Sequence, residues 1–341
     1  MNEVGIGVIG LGFMGRTHVG AYARARADGA ECRLVAVSDR DPERLTGAGG
    51  GDGNLDSGAA DQRLFDPDDV HAYTDVDGLL ADDSVDLVSV CTHTDTHVDL
   101  ALRALRAGKH VLVEKPVSLD VAGVEALVRA SEEAGRFCMP AMCMRFWPGW
   151  VWLKDAAARE TYGRVISARF ERLGAAPAWG GGFYGDPTRS GGALFDLHVH
   201  DVDFLFHLFG QPRSLSSCGT MAHVSSSFEY AGVPGLVVAE GGWMTAPGFG
   251  FRMRYLVEFE RGVADFDLLR DPVLMVHGED EPEVVSLEDR TGYDGEVRHA
   301  VDLALGKRIA PVAPLADAVA VTRLVLAERE SLECECAVDL P

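Results

Sequence analysis

The chain has 341 residues, of which 47% are hydrophobic and 25% charged, so it is long enough for two domains that each bury a core. Its formal net charge of −22 argues against nucleic acid or an anionic membrane as a partner. No apolar run reaches the roughly 20 residues that cross a bilayer, and the first residues lack the pattern of a signal peptide. We therefore expect a cytoplasmic protein.

The first 145 residues alternate between strand and helix patterns. Apolar runs predict strands at Val4–Ile9, Cys32–Ser38, Val85–Cys91, His110–Val113 and Phe137–Met142. Helical spacing predicts helices at Arg16–Asp28, Asp99–Ala107 and Val121–Ala134. Such alternation builds βαβ units and a parallel sheet. Residues 46–63 are too rich in glycine and aspartate to pack, and we predict a mobile loop there.

The second half of the chain has a different pattern. Helices are predicted at about 149–162, 194–208, 295–305 and 315–333. Strands are predicted at Gly163–Leu173, Val233–Trp243, Arg252–Glu260 and Val273–His277. Successive strands without helices between them predict an α+β domain with a mainly antiparallel, open sheet. We therefore expect a first domain at 1–145 and a second at 146–341. Packing of the C-terminal helix against the first domain is an alternative to its packing within the second.

The first strand runs into a glycine-rich turn, Val8-Ile9-Gly10-Leu11-Gly12-Phe13-Met14-Gly15, which opens the first helix. This G-x-G-x-x-G spacing is typical of dinucleotide binding, because Gly10 allows the tight turn, Gly12 lets the backbone approach a pyrophosphate and Gly15 lets helix and strand pack closely. The N–H groups at the start of the helix suit phosphates. We therefore predict a Rossmann domain whose residues Gly10, Gly12, Phe13, Met14 and Gly15 bind the cofactor.

Asp39 ends the second predicted strand, where an acid commonly binds the adenosine ribose. Its carboxylate accepts hydrogen bonds from a 2′-hydroxyl and repels a 2′-phosphate, which favours NAD. The next residue, Arg40, can pair with such a phosphate, so NADP stays open as the cofactor.

A lysine ends the apolar run His110-Val111-Leu112-Val113-Glu114-Lys115-Pro116. Because proline restricts the residue before it, the backbone of Lys115 is held stiffly at the carboxyl end of a strand. Ligands bind at this edge of a parallel sheet. From the run alone, an ordinary surface lysine is an equal alternative to an active-site cation.

Asp196 and His200 lie four residues apart in a predicted helix. On a regular α-helix they share a face, about 40° apart. A carboxylate can orient an imidazole and stabilise its protonated form, and a histidine that titrates near neutrality can remove a hydroxyl proton. The alternative is a pair that only stabilises the helix.

Four segments in this order resemble the Gfo/Idh/MocA family, the relatives of glucose–fructose oxidoreductase and inositol dehydrogenase. They are the glycine fingerprint, Cys91–His97 (CTHTDTH), Glu114-Lys115-Pro116 and, in the second half of the chain, Gly191–His200 (GGALFDLHVH). The likeness covers essentially the whole chain. It implies an NAD(P)-dependent oxidoreductase that transfers hydride between nicotinamide and a secondary hydroxyl of a sugar, inositol or related polyol.

The resemblance also implies roles for the residues of these motifs. Lys115 reaches nicotinamide and substrate and polarises the reacting oxygen, often next to a cis peptide bond with Pro116. His200 is the acid/base, and Asp196 helps to bind substrate. The other implied cofactor contacts are Thr92, Thr94, His97 and Glu114.

Some positions depart from the family's pattern. His93 and Thr94 replace the family's usual Pro-Asn. His198 stands where the family commonly has glycine, and it is predicted to lie on the helix face opposite His200. His198 is therefore a candidate for the rim of the pocket. Later in the same helix, His207 lies near the C-terminal end, where a positive charge favours the helix dipole.

Three further residues are candidate substrate contacts. Arg145 resembles the arginine of the family's Arg-Phe-x-Pro segment, and either binds substrate oxygens or forms an ion pair at the domain junction. Trp179 and Tyr184 lie in a loop rich in glycine and aromatic residues, which suits a platform for a sugar ring. Trp179 is alternatively a core residue.

Two other functions stay open, a glycosidase that uses NAD without net redox change and a catalytically inactive regulator that senses sugar or cofactor. The open sheet of the second domain presents a broad face, and relatives commonly assemble through it, so we expect a homodimer or homotetramer. The odd, scattered set of seven cysteines predicts reduced, mostly buried thiols. We expect no metal at the close pair Cys334 and Cys336, which has no cluster at zinc spacing nearby.

Overall fold

Two β-sheets dominate the fold in a computed structural model of the chain, which describes residues 3–48, 63–307 and 309–341. The chain divides into two units. The first unit contains residues 1–143, 179–183 and 292–319, and the second contains 144–178, 184–291 and 320–341. The first change of unit lies close to the predicted boundary at 145, whereas the return of 292–319 to the first unit differs from the predicted domains. Most of the predicted loop at 46–63 lies outside the described residues.

The described α-helices and strands up to residue 140 alternate, except between the second and third strands, where the described residues include a 3₁₀ turn at Pro42–Thr46. They are β1 (Val4–Ile9), α1 (Phe13–Ala27), β2 (Cys32–Ser38), β3 (His71–Tyr73), α2 (Val76–Leu80), β4 (Leu87–Val90), α3 (Thr94–Arg106), β5 (His110–Val113), α4 (Val121–Ala134) and β6 (Cys138–Pro140). The first sheet is parallel throughout, in the order β3-β2-β1-β4-β5-β6. This confirms the predicted Rossmann-type sheet.

The order of the strands creates a switch point. From β1 the chain moves outwards to β2 and β3, and from β4 it moves the other way to β5 and β6. The loops that follow β1 and β4 therefore diverge at the carboxyl edge of the sheet, and such a crevice is where open α/β sheets bind ligands.

The remaining elements are mostly strands. They are α5 (Pro148–Ala158), β7 (Val165–Ala175), α6 (Pro187–Ser190), a π-helical turn (Leu194–His198), α7 (Val199–Phe209), β8 (Ser214–Thr220), β9 (His223–Glu229), β10 (Leu236–Met244), β11 (Phe251–Phe259), β12 (Gly262–Asp267), β13 (Leu274–His277), β14 (Glu283–Val284), α8 (Gly292–Ala304), α9 (Leu315–Cys334) and β15 (Val338–Asp339). The second sheet has the order β14-β13-β12-β11-β7-β10-β9-β8-β15, and β7 with β10 is its one parallel pair among the described strands. The mainly antiparallel second sheet is thus confirmed.

Helix α8 belongs to the first unit because its apolar face packs against α1. Val297, Ala300 and Val301 on this face are fully buried. In the second unit, the core is built around Trp150 of α5, whose ring meets those of Phe204, Tyr255 and Phe266 edge-on. These contacts fix α7 against the sheet.

One expectation about the cysteines is wrong. Cys334 and Cys336, at the end of α9, are joined by a disulfide, since their Cα atoms lie 5.3 Å apart, within the reach of such a bond. The other five cysteines are free thiols, and of these only Cys218 is exposed. Within the described ranges, we find no helix with both the length and the apolar character needed to cross a membrane.

Candidate active site

The glycine loop between β1 and α1 has the geometry of a phosphate cradle. Gly10 has a φ of +87°, and a Cβ at Gly15 would lie 1.8 Å from the carbonyl oxygen of Gly10. A Cβ at Gly12, by contrast, would have no described atom within 4 Å. Helix α1 begins without a side-chain cap and without an acid in its first turn, so its N–H groups and its dipole suit an anion. The loop therefore fits the pyrophosphate of a dinucleotide.

This geometry predicts opposite phenotypes for two alanine substitutions in the loop. Gly15→Ala forces the Cβ into the Gly10 carbonyl, and we expect it to lower the free energy of unfolding by about 3 kcal/mol. Gly12→Ala places its methyl group where the backbone would approach the cofactor, so we expect unchanged stability but at least about tenfold weaker NAD binding. Chemical denaturation and calorimetric NAD titration check the two results. Equal stability of both variants would contradict this account of Gly15.

The carboxylate of Asp39 lies over the same loop. Its Oδ2 accepts hydrogen bonds from the backbone N–H of Leu11 at 2.7 Å and from Arg44 Nη1 at 3.4 Å, and its Oδ1 accepts one from the N–H of Asp41 at 2.9 Å. Arg40, the predicted partner for a 2′-phosphate, is exposed. Arg44, and not the predicted Arg40, is the arginine whose contact with the Asp39 carboxylate is described above.

The segment after β4 borders the glycine loop. A Cβ at Gly10 would lie 3.0 Å from Thr92 Cγ2, and Thr92 Oγ1 is 2.7 Å from Thr96 Oγ1. Thr94 is buried in the first turn of α3. Thr92 therefore lies at the switch point of the sheet, where the resemblance places a cofactor contact.

His97 links this segment to the turn after β5. Its Nδ1 lies 2.9 Å from the carbonyl oxygen of Pro116, and its Nε2 lies 3.0 Å from that of Thr92. Burial lowers the pKa of His97, although the two carbonyl groups favour the protonated ring. Both ring nitrogens are engaged inside the unit. This placement favours a structural role for His97, which joins the backbone at Thr92 to that at Pro116, over the predicted contact with the cofactor.

Lys115 lies at the end of β5 on the same edge of the sheet, and its side chain is partly exposed. The peptide bond to Pro116 is cis, as the resemblance implied. The backbone N–H of Lys115 donates to Glu114 Oε2 at 3.1 Å. The lysine is therefore fixed at its backbone by Glu114 on one side and by the His97–Pro116 contact on the other.

Glu114 faces the interior of the unit, where its Oε1 accepts a hydrogen bond from His18 Nε2 at 2.9 Å. Burial raises the pKa of Glu114, but the hydrogen bond from His18 and the charges of His18 and Lys115 outweigh it and hold this pKa below its usual value. This buried position of Glu114 favours a role in holding the backbone of Lys115 over the predicted contact with the cofactor. The sequence reasoning missed His18, although it follows Gly15 by three residues on α1.

An aromatic contact joins two further residues of the first unit. The rings of His93 and Phe183 stack with centroids 4.2 Å apart and an interplanar angle of 4°. Trp179, in the same short segment as Phe183, is partly buried, and its indole nitrogen is shielded from solvent. Tyr184 belongs to the second unit, where its ring meets that of Trp243 edge-on at 6.0 Å.

Asp196 and His200 lie where a π-helical turn passes into α7. Residues 194–198 form the π turn, which contains Asp196, and His200 is in the first turn of α7. The predicted offset of about 40° assumes a regular α-helix, whereas Asp196 lies in a π turn, so a shared face of the two residues stays a prediction. Asp196 is the one residue of the fully described segment 191–200 that is not buried, and His200 is 9% exposed.

Two buried ion pairs fix the residues that follow. Arg172 donates from Nε and Nη2 to the two oxygens of Asp201, both at 2.9 Å. Arg145 donates in the same bidentate way to Asp203, at 2.9 and 2.7 Å. Of the two roles considered for Arg145, an ion pair is the one observed, and it lies within the second unit. A contact of Arg145 with substrate stays a prediction.

His198 is not at the rim of a pocket, and that expectation is wrong. Its side chain is fully buried, and its Nε2 lies 2.8 Å from Glu328 Oε1 on α9. Burial lowers the pKa of His198, but the charge and hydrogen bond of Glu328 outweigh this and raise it above the usual value. The histidine that stands here in place of the common glycine thus links the π turn to α9 through its contact with Glu328.

His207 does not supply the positive charge expected at the end of α7. Burial and the charges of Arg145 and Lys154 lower its pKa to about 3, so the ring is neutral near pH 7. The ammonium group of Lys154 donates instead to the carbonyl oxygen of His207 at 2.5 Å. A lysine from α5 therefore provides the cation that stabilises this helix end.

Comparisons with known proteins agree with this architecture. Residues 4–142 match a family model described as "Oxidoreductase family, NAD-binding Rossmann fold", and residues 150–260 match the GFO/IDH/MocA C-terminal domain. The chain is 31% identical over 212 residues to inositol 2-dehydrogenase of Rhizobium meliloti, and 31% identical over 208 residues to myo-inositol 2-dehydrogenase of Thermotoga maritima. These matches cover 61% and 60% of the chain, and 56% and 55% of the two relatives.

A solved structure extends the likeness of the fold to the whole chain. Levoglucosan dehydrogenase, in complex with NADH and L-sorbose, superposes with a TM-score of 0.83 over 100% of both chains at 20% sequence identity. The two family models follow the same order as the two sheets, and the first model covers the glycine loop, Asp39 and Lys115. The first unit is an NAD-binding Rossmann domain, and the chain belongs to the Gfo/Idh/MocA family of oxidoreductases.

Proposed function

We propose that the chain is an NAD-dependent dehydrogenase that oxidises a secondary hydroxyl of a sugar, inositol or related polyol. The observation that carries this proposal is the partly exposed Lys115 at the carboxyl end of β5. It shares this edge of the sheet with the glycine loop and with Asp39. A cation fixed at this edge is suited to a reaction next to a bound dinucleotide.

In this proposal, each catalytic residue has one task. Lys115 donates a hydrogen bond to the reacting oxygen and stabilises its developing negative charge. His200 removes the hydroxyl proton, and Asp196, the partly exposed carboxylate of its segment, accepts hydrogen bonds from the substrate. NAD, when bound, accepts the hydride.

The names of the relatives and the charge of the chain support a neutral substrate. The two curated relatives are named for inositol, and the superposed structure for levoglucosan. A net charge of −22 disfavours a strongly anionic substrate. We therefore rank neutral cyclic polyols and anhydrosugars above nucleotide sugars such as the substrate in the name of UDP-N-acetylglucosamine 3-dehydrogenase.

A panel assay tests this proposal. The purified protein is incubated with NAD or NADP and with myo-inositol, levoglucosan, simple aldoses or UDP-N-acetylglucosamine, while formation of the reduced cofactor is followed by absorbance. Formation of one NADH for each ketone product supports the dehydrogenase. Release of a sugar from an aryl glycoside without NADH would instead indicate the glycosidase. Tight NAD binding with neither reaction would indicate the sensing regulator.

The preference for NAD is proposed from the charge of Asp39. We expect Asp39→Ser to raise kcat/KM for NADP relative to that for NAD by about tenfold or more, about 1.4 kcal/mol, because the repulsion of a 2′-phosphate is removed. The matched control is Asp41→Ser, which removes the same charge two residues away and should leave the ratio unchanged. If NADP is already the better cofactor of the wild type, the preference is reversed.

We also propose that the chain forms a homo-oligomer through its second sheet. Residues alternate between buried and exposed along β11, and Leu256 is 49% exposed on the outward face. Light scattering coupled to gel filtration measures the assembly. A monomer at micromolar concentration would contradict this proposal.

A further inference from the structure

A buried cluster of ionisable side chains lies on the inner side of the Lys115 turn. It consists of His18 from α1, Glu114 after β5 and Glu296 from α8, with relative exposures of 0%, 4% and 0%. His18 Nε2 is 2.9 Å from Glu114 Oε1 and 3.8 Å from Glu296 Oε1. Two carboxyl groups therefore lie beside one imidazole, and all three side chains are almost fully buried.

The hydrogen bonds define which atoms carry protons. An ionised carboxylate only accepts hydrogen bonds, so the proton between His18 and Glu114 is on His18 Nε2. The second oxygen of Glu114 accepts the backbone N–H of Lys115. Both oxygens of Glu114 are thus engaged, one by His18 and the other by the backbone of Lys115.

Glu296 has the opposite state. Burial and the charge of Glu114 raise the pKa of Glu296 well above its usual value, which favours the neutral acid. Within the described part of the chain, neither of its side-chain oxygens has a hydrogen-bond partner. Of the two carboxyl groups, the negative charge is therefore favoured on Glu114, whose carboxylate accepts the backbone N–H of Lys115.

Other ionisable groups face the cluster. Burial raises the pKa values of the Cys91 thiol and the Tyr22 hydroxyl, which are therefore neutral. Lys115 and His97 also face Glu114, and a positive charge on either side chain favours the ionised carboxylate. Because such interactions are reciprocal, the charge of Lys115 that favours ionised Glu114 is itself favoured by that carboxylate.

We propose that Glu114, held by His18, is a positioning residue that fixes the backbone of Lys115 and keeps its ammonium group protonated. Glu296 is the neutral member, which completes the packing around His18 without adding charge. This inference rests on the proposed function, in which Lys115 donates to the reacting oxygen. It assigns the glutamate of the Glu-Lys-Pro motif an electrostatic task rather than a contact with the cofactor.

The titration of Lys115 can be observed directly. The chain contains four lysines, Lys109, Lys115, Lys154 and Lys307, so reductive ¹³C-methylation gives few NMR signals, and Lys115→Met assigns the one of interest. We expect Glu114→Gln to lower the titration midpoint of Lys115 by about one pH unit or more. Glu296→Gln makes the same exchange of atoms without removing a charge, and it should leave the midpoint unchanged.

Two substitutions of His18 separate hydrogen bonding from packing. His18→Leu removes the donor, so Glu114 becomes protonated and the midpoint of Lys115 falls as in Glu114→Gln. His18→Gln retains an N–H donor and should restore a midpoint near that of the wild type. In the assay, Glu114→Gln and His18→Leu should lower kcat by about tenfold at the alkaline end of the pH profile, with little change in KM, whereas His18→Gln should not.

Each outcome of this experiment decides the matter. If Lys115 titrates identically in Glu114→Gln and Glu296→Gln, the cluster is structural and the proposal fails. One donor atom from each of His18, Cys91 and Glu114 lies within 4.8 Å of the others, so stoichiometric zinc in the purified protein would also overturn it. The NMR titration needs no turnover. An absence of dehydrogenase activity would therefore contradict the proposed function without deciding this inference.

Discussion

Replacing Lys115 by methionine is expected to lower kcat by roughly a thousandfold, because the hydrogen-bond donor to the reacting oxygen is lost. Methionine has a similar length and no charge, and Pro116 still restricts the backbone on the C-terminal side. We expect the Kd for NAD, measured by calorimetry, to change by less than about threefold, since the glycine loop and Asp39 are untouched. Initial rates with the best substrate of the panel give kcat and KM.

The control for charge alone is Lys307→Met. Lys307 is a surface residue paired with Asp302, and its loss should not alter kcat. Lys115→Arg adds a second comparison, because it keeps the positive charge but changes the geometry of the donor, and we expect partial activity. Near-normal turnover of Lys115→Met would return this residue to the alternative of an ordinary lysine at a strand end.

The parallel sheet was predictable because its signals are local. β1, β2 and β5 begin and end at the predicted residues, since each is an apolar run with a clear change of pattern at its ends. Helix α4 also has its predicted bounds, with Asp120 as N-cap and Gly135 in the left-handed region at its end. By contrast, β3 and α2 have only three and five residues, too few to show a period.

Within the candidate site, the sequence predicted what a motif contains but not what it touches. Gly10, Gly15 and Lys115 occupy the positions that their motifs implied. The contact between His18 and Glu114 joins residues 96 positions apart, and Glu296 comes from a helix that packs back on α1. No local pattern marks such a contact, because it depends on the order of the strands.

The second unit shows the same limit for charge and helix geometry. A spacing of four residues does not distinguish a π turn from a regular helix, so the sequence did not reveal that Asp196 lies in a π turn. His198 looked like an exposed departure from glycine, yet its partner Glu328 lies 130 residues further along the chain. Burial of a polar residue can be inferred from sequence only when its partner is also recognised.

Replacing His200 by alanine is expected to lower kcat by roughly a factor of 10² to 10⁴, because no other group then removes the hydroxyl proton. The side chain is 9% exposed, so its removal leaves a space that a small base can enter. We therefore expect added imidazole to restore part of the rate in His200→Ala but not in Lys115→Met, where a donor rather than a base is lost. His223→Ala, at the start of β9, removes a partly exposed histidine of the same unit and should retain full activity. A normal rate in His200→Ala, or a failure of imidazole to act on it while the protein stays folded and binds NAD, would assign the proton to another group.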